Sequence, residues 1–188
     1  ANTLTPEELK IAYAFILTMP GVPFIYYGDE IGMRYMKDIR SKEGGFHRTG
    51  SRTPMQWDNS ANKGFSTAEA QKLYLAVDSS EDAPNVADQM NDENSLYSTT
   101  KSLVALRHMH ADLQADADFN VIYAEQEKMP FVYKRGKLIL AINPSGLEET
   151  ISLDEFQGYQ PIYTIGKVSL EDTNLTIGSS AFAVFQIK

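Results

Sequence analysis

Cysteine is absent from all 188 residues, so the chain has no disulfide framework, no thiolate metal site and no thiol nucleophile. That absence does not fix a compartment, because oxidising and reducing environments both tolerate it. Basic residues are also in short supply. Seventeen Lys and Arg stand against 25 Asp and Glu, a formal net charge of −8. A duplex-binding protein needs a basic footprint to displace counterions, and an anionic membrane surface repels an acidic chain. Neither nucleic acid nor membrane is therefore expected as a partner. Long hydrophobic runs are missing as well. The most apolar stretch, residues 11–27, is broken by Thr18, Pro20, Gly21 and Pro23, and is short of the ~20 residues that a span needs. Residues 1–9 show no basic region followed by an apolar core, hence no visible signal peptide.

What is present is an ordinary globular composition, 43% hydrophobic and 22% charged, which excludes disorder, collagen-like repeats and coiled coil. Thr5-Pro6-Glu7-Glu8 is a helix-start signature, and the helix should run to about Met19, where Pro20-Gly21 ends it. The run Val22-Pro23-Phe24-Ile25-Tyr26-Tyr27 reads as a short strand covered on both faces. A helix, a tight turn and a buried strand make half of an α/β repeat, and the segment looks cut from something larger. Residues 28–94 form a long polar stretch, expected to be functional or to contain small local elements. Helical periodicity returns over residues 93–109, with Leu96, Leu103, Leu106 and Met109 on roughly one face. After Ala111 the texture changes to short strand-like runs at 119–123, 130–133, 138–142, 149–153, 161–165 and 181–187, punctuated by turns such as Asn143-Pro144-Ser145-Gly146. Runs at this spacing with no helix between them read as an antiparallel sandwich. A boundary is expected near residues 110–118, giving domains 1–110 and 111–188.

Few residues invite a chemical reading. Asp29 and Glu30 follow the expected strand, at the end where parallel α/β folds assemble their sites. Neighbours on a strand point to opposite faces, so these two cannot serve as a glycosidase acid/base pair at one atom. One would join a buried hydrogen-bond network and the other would cap loop amides. Arg52-Thr53-Pro54-Met55-Gln56-Trp57-Asp58 holds the only tryptophan beside Arg, Gln and Asp. Sugar sites combine a flat apolar face with forked polar donors, although Trp57 could equally anchor the loop and Arg52 pair with an acid. His108-Met109-His110, with Asp112, do not converge on a helix and fall short of a zinc ligand set. His47-Arg48 reads as a solvated loop pair that could touch substrate. Gly44-Gly45 lacks the Lys-Ser/Thr of a phosphate loop. No serine stands on a recognisable nucleophile elbow. No metal or other cofactor is expected.

Taken together, these pieces resemble the α-amylase family of glycoside hydrolases. The segment from Gly21 to Met33 looks like the eighth barrel strand, and Arg52 to Asp58 followed by Asn62-Lys63-Gly64-Phe65-Ser66 is similar to the loop after it in α-glucosidases, oligo-1,6-glucosidases and trehalose synthases. Ser102-Leu103-Val104-Ala105-Leu106-Arg107 resembles the last barrel helix, and the later strands resemble the family's C-terminal sandwich. The resemblance implies an α+β chain: the last α-β-α portion of a (β/α)8 barrel, then an antiparallel β-sandwich. It implies retaining chemistry on α-glucosides or α-glucans. It also exposes a departure, since the nucleophilic Asp, acid/base Glu and stabilising Asp of the family's fourth, fifth and seventh strands have no counterpart. The chain is expected to be a C-terminal third, inert alone, and able to self-associate through residues 11–33. Arg52 matches the family arginine on the acceptor side of the cleft and is the first substrate-binding candidate. Trp57, Gln56, Asp29 and Glu30 are weaker ones, with supporting roles. The competing reading is an autonomous carbohydrate-binding or interaction module, which requires an exposed aromatic platform among Tyr123, Tyr133, Tyr159 and Tyr163.

Overall fold

Every residue of Leu138-Ile139-Leu140-Ala141-Ile142 is apolar, a pattern that demands cover on both sides of a strand. The computed structural model, which describes residues 4–44 and 47–188, meets that demand. Packing groups the residues into two compact units, Ala1–Pro6 with Phe24–Lys101, and Glu7–Pro23 with Ser102–Lys188. The helices are α1 (Pro6–Thr18), α2 (Val86–Met90) and α3 (Leu96–Met109). The strands are β1 (Phe119–Tyr123), β2 (Phe131–Arg135), β3 (Leu138–Asn143), β4 (Glu149–Ser152), β5 (Tyr159–Ile165), β6 (Val168–Glu171), β7 (Asn174–Ile177) and β8 (Ala181–Ile187).

The second unit is a three-layer stack. A five-stranded sheet of order β1-β2-β3-β8-β5 lies between a three-stranded sheet, β4-β7-β6, and a helical layer. All the strand pairs are antiparallel. The side-chain period of two sorts the central strands between the layers. Ile139, Ala141, Ala183 and Phe185 face Leu175 and Ile177 of β7, with Phe156 set edge-on against Phe185. Leu138, Leu140, Ile142, Phe182 and Val184 face Ile11, Ala14 and Leu17 of α1 and Leu103 and Leu106 of α3. Leu103 and Leu106 belong to the same core as the sheet, where they, Leu113 and α1 cover its second face. The β6–β7 hairpin, turning at Asp172 and Thr173, is an addition to the strands expected from sequence.

The end of α1 is held by two buried arginines. Arg107 donates to the carbonyls of Leu17, Met19 and Gly21 at 2.7, 3.1 and 2.6 Å. Arg135, fully buried, donates to the carbonyls of Thr18, Gln114 and Asp118. The carbonyls of Leu17, Thr18 and Met19 are acceptors at the C-terminal end of α1, where positive charge is favoured.

The first unit corrects one expectation. Residues 22–27 are not a buried strand: they carry no ladder, and Phe24 is 90% exposed. Ladder bonds need a neighbouring strand, and among the described residues none pairs with this run. The Tyr26 amide donates instead to Asp29 Oδ2 at 3.0 Å, and its carbonyl accepts from the Asp29 amide at 3.0 Å, bending the chain into a turn. Gly28 completes the turn at φ +87°, where an added Cβ would strike the Met33 side chain. The long polar stretch is built from 3-10 turns and α2, tied by polar contacts. Gln56, buried, donates to the Pro84 carbonyl, while the amides of Val86 and Ala87 donate to the carbonyls of Gln56 and Trp57. Asn85 caps α2 by accepting from the Asp88 amide at 2.9 Å. Of the Gly44-Gly45 doublet, Gly45 lies outside the described residues.

Candidate functional site

The fixed loop around residues 52–57 lines a cavity of about 430 Å³ in the first unit. Its floor is apolar, from Pro54, Met55 and Leu75. Its rim is aromatic: Tyr27, Trp57, Phe65 and Tyr74 line it while each remains about half exposed. Two charged groups, Arg52 and Glu30, complete the lining. Among the described residues Arg52 makes no ion pair and no side-chain hydrogen bond, so its five donors are available to a ligand. Glu30 Oε2 is buried and has no hydrogen-bond partner. A buried oxygen left without a donor is costly, and a ligand hydroxyl arriving in the cavity would satisfy it.

Tyr27 reads the electrostatics of the site. Burial and the adjacent Tyr26 push its phenol above the ordinary value, and the Arg52 charge pulls against them. Its hydroxyl donates to the Thr53 carbonyl at 3.1 Å, which fixes the backbone beside Arg52. Asp58, at the far end of the motif, accepts from the Ser60 amide and hydroxyl at 2.7 and 2.5 Å, and these bonds hold its carboxyl below the usual range.

The structure thus brings Arg52, Glu30 and Trp57 to one cavity. It keeps Gln56 buried behind the loop as a tie to Pro84, and it places Asp29 on the Tyr26 amide. Asp29 and Glu30 do diverge, but from a 3-10 turn rather than from alternation along a strand. Tyr27, Tyr74 and Leu75 were not singled out from sequence as site residues. The available signal for Tyr74 is the apolar–aromatic triplet Leu73-Tyr74-Leu75 inside an otherwise polar stretch. No group of three or more His, Asp or Glu residues able to hold a metal occurs among the described residues. The tyrosines of the module reading do not share a platform. Tyr133 and Tyr163 pack into the helix-facing core, and Tyr123 and Tyr159 pack against the other.

An aromatic rim with one cation and one open carboxylate suits a neutral polyhydroxylated ligand, since sugar rings offer apolar faces and hydroxyl edges. The family model described as alpha amylase, catalytic domain, matches residues 2–116. The trehalose synthase/amylase TreS of Mycobacterium tuberculosis is 29% identical over 199 residues, covering 96% of this chain and 32% of that protein. The oligo-1,6-glucosidase of Heyndrickxia coagulans is 30% identical over 191 residues, 82% of this chain and 32% of the relative. Among solved structures, trehalulose synthase MutB from Pseudomonas mesoacidophila superposes with a TM-score of 0.79 at 21% identity, over 97% of this chain and 38% of that one. The chain spans about a third of the length of these curated relatives.

Proposed function

The chain belongs to the alpha-amylase catalytic-domain family, and from that premise we propose that it is the C-terminal part of a retaining glycoside hydrolase or transglycosidase acting on α-glucosides or α-glucans. In this reading residues 1–110 are the last portion of a (β/α)8 barrel, and residues 111–188 are the C-terminal sandwich. The observation that carries the proposal is the cavity that joins Arg52, with its uncommitted donors, to Glu30 and an aromatic rim. Arg52 binds hydroxyls on the acceptor side of the scissile bond. Glu30 accepts from a sugar hydroxyl or an ordered water, Trp57 and its neighbours stack on ring faces, and Gln56 and Asp29 hold the loop and the turn.

Retention requires two carboxyl groups roughly 5–5.5 Å apart across the glycosidic bond. Among the described residues Glu30 is the one carboxylate lining this cavity, so the 188 residues alone bind without cleaving. A clean preparation of the chain should show no turnover of a nitrophenyl α-glucoside. Turnover abolished by Glu30→Gln would place the chemistry here and overturn the assignment of a purely binding role. In the enzyme that carries these residues, Arg52→Ala should lower kcat/KM by the value of a charged hydrogen bond, about 1.5–3 kcal/mol, with thermal stability kept. Unchanged kcat/KM with lost stability would make Arg52 a loop anchor instead.

A further inference from the structure

Tyr74 reaches the cavity from a segment that is tied to a separate turn. Residues 41–44 close on themselves: the Ser41 amide donates to the Gly44 carbonyl at 2.9 Å and the Gly44 amide to the Ser41 carbonyl at 3.1 Å. The Glu43 amide donates to Ser41 Oγ at 3.3 Å, which fixes the residue at the tip. Two side-chain bonds then join this turn to the cavity wall. Lys42 Nζ donates to the Lys72 carbonyl at 2.8 Å, and the Tyr74 hydroxyl donates to Glu43 Oε2 at 2.8 Å. A half-exposed aromatic side chain has several staggered wells open to it, and surrounding packing does little to choose among them. A charge-assisted bond at the ring's far end selects one.

We propose that Tyr74 is a sugar-stacking wall of this cavity and that Glu43 is the positioning residue that holds it there. The turn at residues 41–44 then sets how the leaving portion of an α-glucoside is seated, although it touches no substrate itself. The inference rests on the reading of the cavity as an α-glucoside site. Glu43 acts through a single bond to the Tyr74 hydroxyl, so its contribution depends on whether the substrate has a second ring to stack.

The test uses the enzyme that carries these residues and two donors, an α-linked glucose disaccharide and α-glucosyl fluoride, whose one-atom leaving group cannot reach a stacking wall. Glu43→Ala should lower kcat/KM for the disaccharide roughly 2- to 10-fold more than for the fluoride, the range of one hydrogen bond. Tyr74→Phe should show the same split. The double variant should add nothing to either single one, because both remove the same interaction. Glu43→Gln, which keeps an acceptor oxygen, should recover most of the loss. Equal losses on both donors, no loss, or additive losses in the double variant would each overturn the proposal. Arg52→Ala separates the two levels. A disaccharide-selective loss in Arg52→Ala without one in the Glu43 variants sinks only the positioning role, and no selective loss in either sinks the α-glucoside reading with it.

Discussion

Arg135 is fully buried and makes no ion pair among the described residues; its hydrogen bonds go to carbonyls at the end of α1 and in residues 114–118. Burial, and then the positive charge of Arg107, push its guanidinium down from the ordinary value, while Asp112 pulls it back. Replacement by Met keeps an apolar stem but strips the Thr18 carbonyl of its donor and leaves Gln114 and Asp118 only the amides of Ala117 and Gly136, so Arg135→Met should cost about 1–3 kcal/mol in denaturant unfolding of the chain. Arg34→Met provides the contrast. Its pair with Asp82 at 2.8 Å faces solvent on the Asp82 side, and its loss should cost much less. Equal costs would mean that the C-terminal clamp on α1 carries no special weight. Tyrosine titration tests the same core. Burial pushes Tyr163 up to about 12 and Tyr133 higher still, against the opposing bond from Thr18. The unfolded chain loses these protons near pH 10.0, the folded chain later. Stability contributed by the neutral phenols is therefore complete below pH 10.0 and falls as pH rises toward 12. Ultraviolet absorbance should resolve a late-ionising fraction that joins the main transition on adding denaturant.

The helical layer and the two sheets fold as one element because the five-stranded sheet has two apolar faces. A chain cut to residues 111–188 exposes Leu138, Leu140, Phe182 and Val184 at once, and should aggregate or bind a hydrophobic dye. A version with α1 and residues 102–110 retained should stay monomeric with sharp side-chain resonances. A well-folded, dye-free 111–188 fragment would show that the helices are incidental. The first unit should fail differently. Its depressed carboxyls are Asp58 on Ser60, Asp82 on Arg34 and Asp88 on Asn85 and Asn59. Each is charged in the folded state at a pH where the free group has taken up its proton, so their contribution is complete above the ordinary 3.8 and is lost as pH falls through the lower folded values. Hydrogen exchange, corrected for intrinsic rates, should show the Ser60 and Asp88 amides losing protection in that acid range before the β3 and β8 amides do.

At the scale of the whole molecule, the sequence was most legible where a local pattern was sufficient. Pro6 and Pro20-Gly21 bracket α1, and the runs at 119–123, 138–142 and 181–187 became β1, β3 and β8 within a residue. It was least legible where a partner decides the outcome. Residues 22–27 have the composition of a buried strand, but backbone pairing is not written into side chains, and with no neighbour the run turns at Tyr26 and Asp29. The β6–β7 hairpin hid in Val168-Ser169-Leu170-Glu171 because its alternation is only four residues long. At the site, Arg52 and Trp57 stood out as an unusual cluster, whereas Tyr74 joins them only through the fold of the loop. Whether this cavity holds an α-glucoside, as proposed, is measured most directly by a crystal structure of the carrying enzyme with a non-cleavable thio-linked disaccharide. A sugar ring should lie against the Tyr74 and Trp57 faces, with Arg52 within hydrogen-bond distance of its hydroxyls. A disaccharide ordered elsewhere, with Arg52 turned to a protein carboxylate, would contradict it.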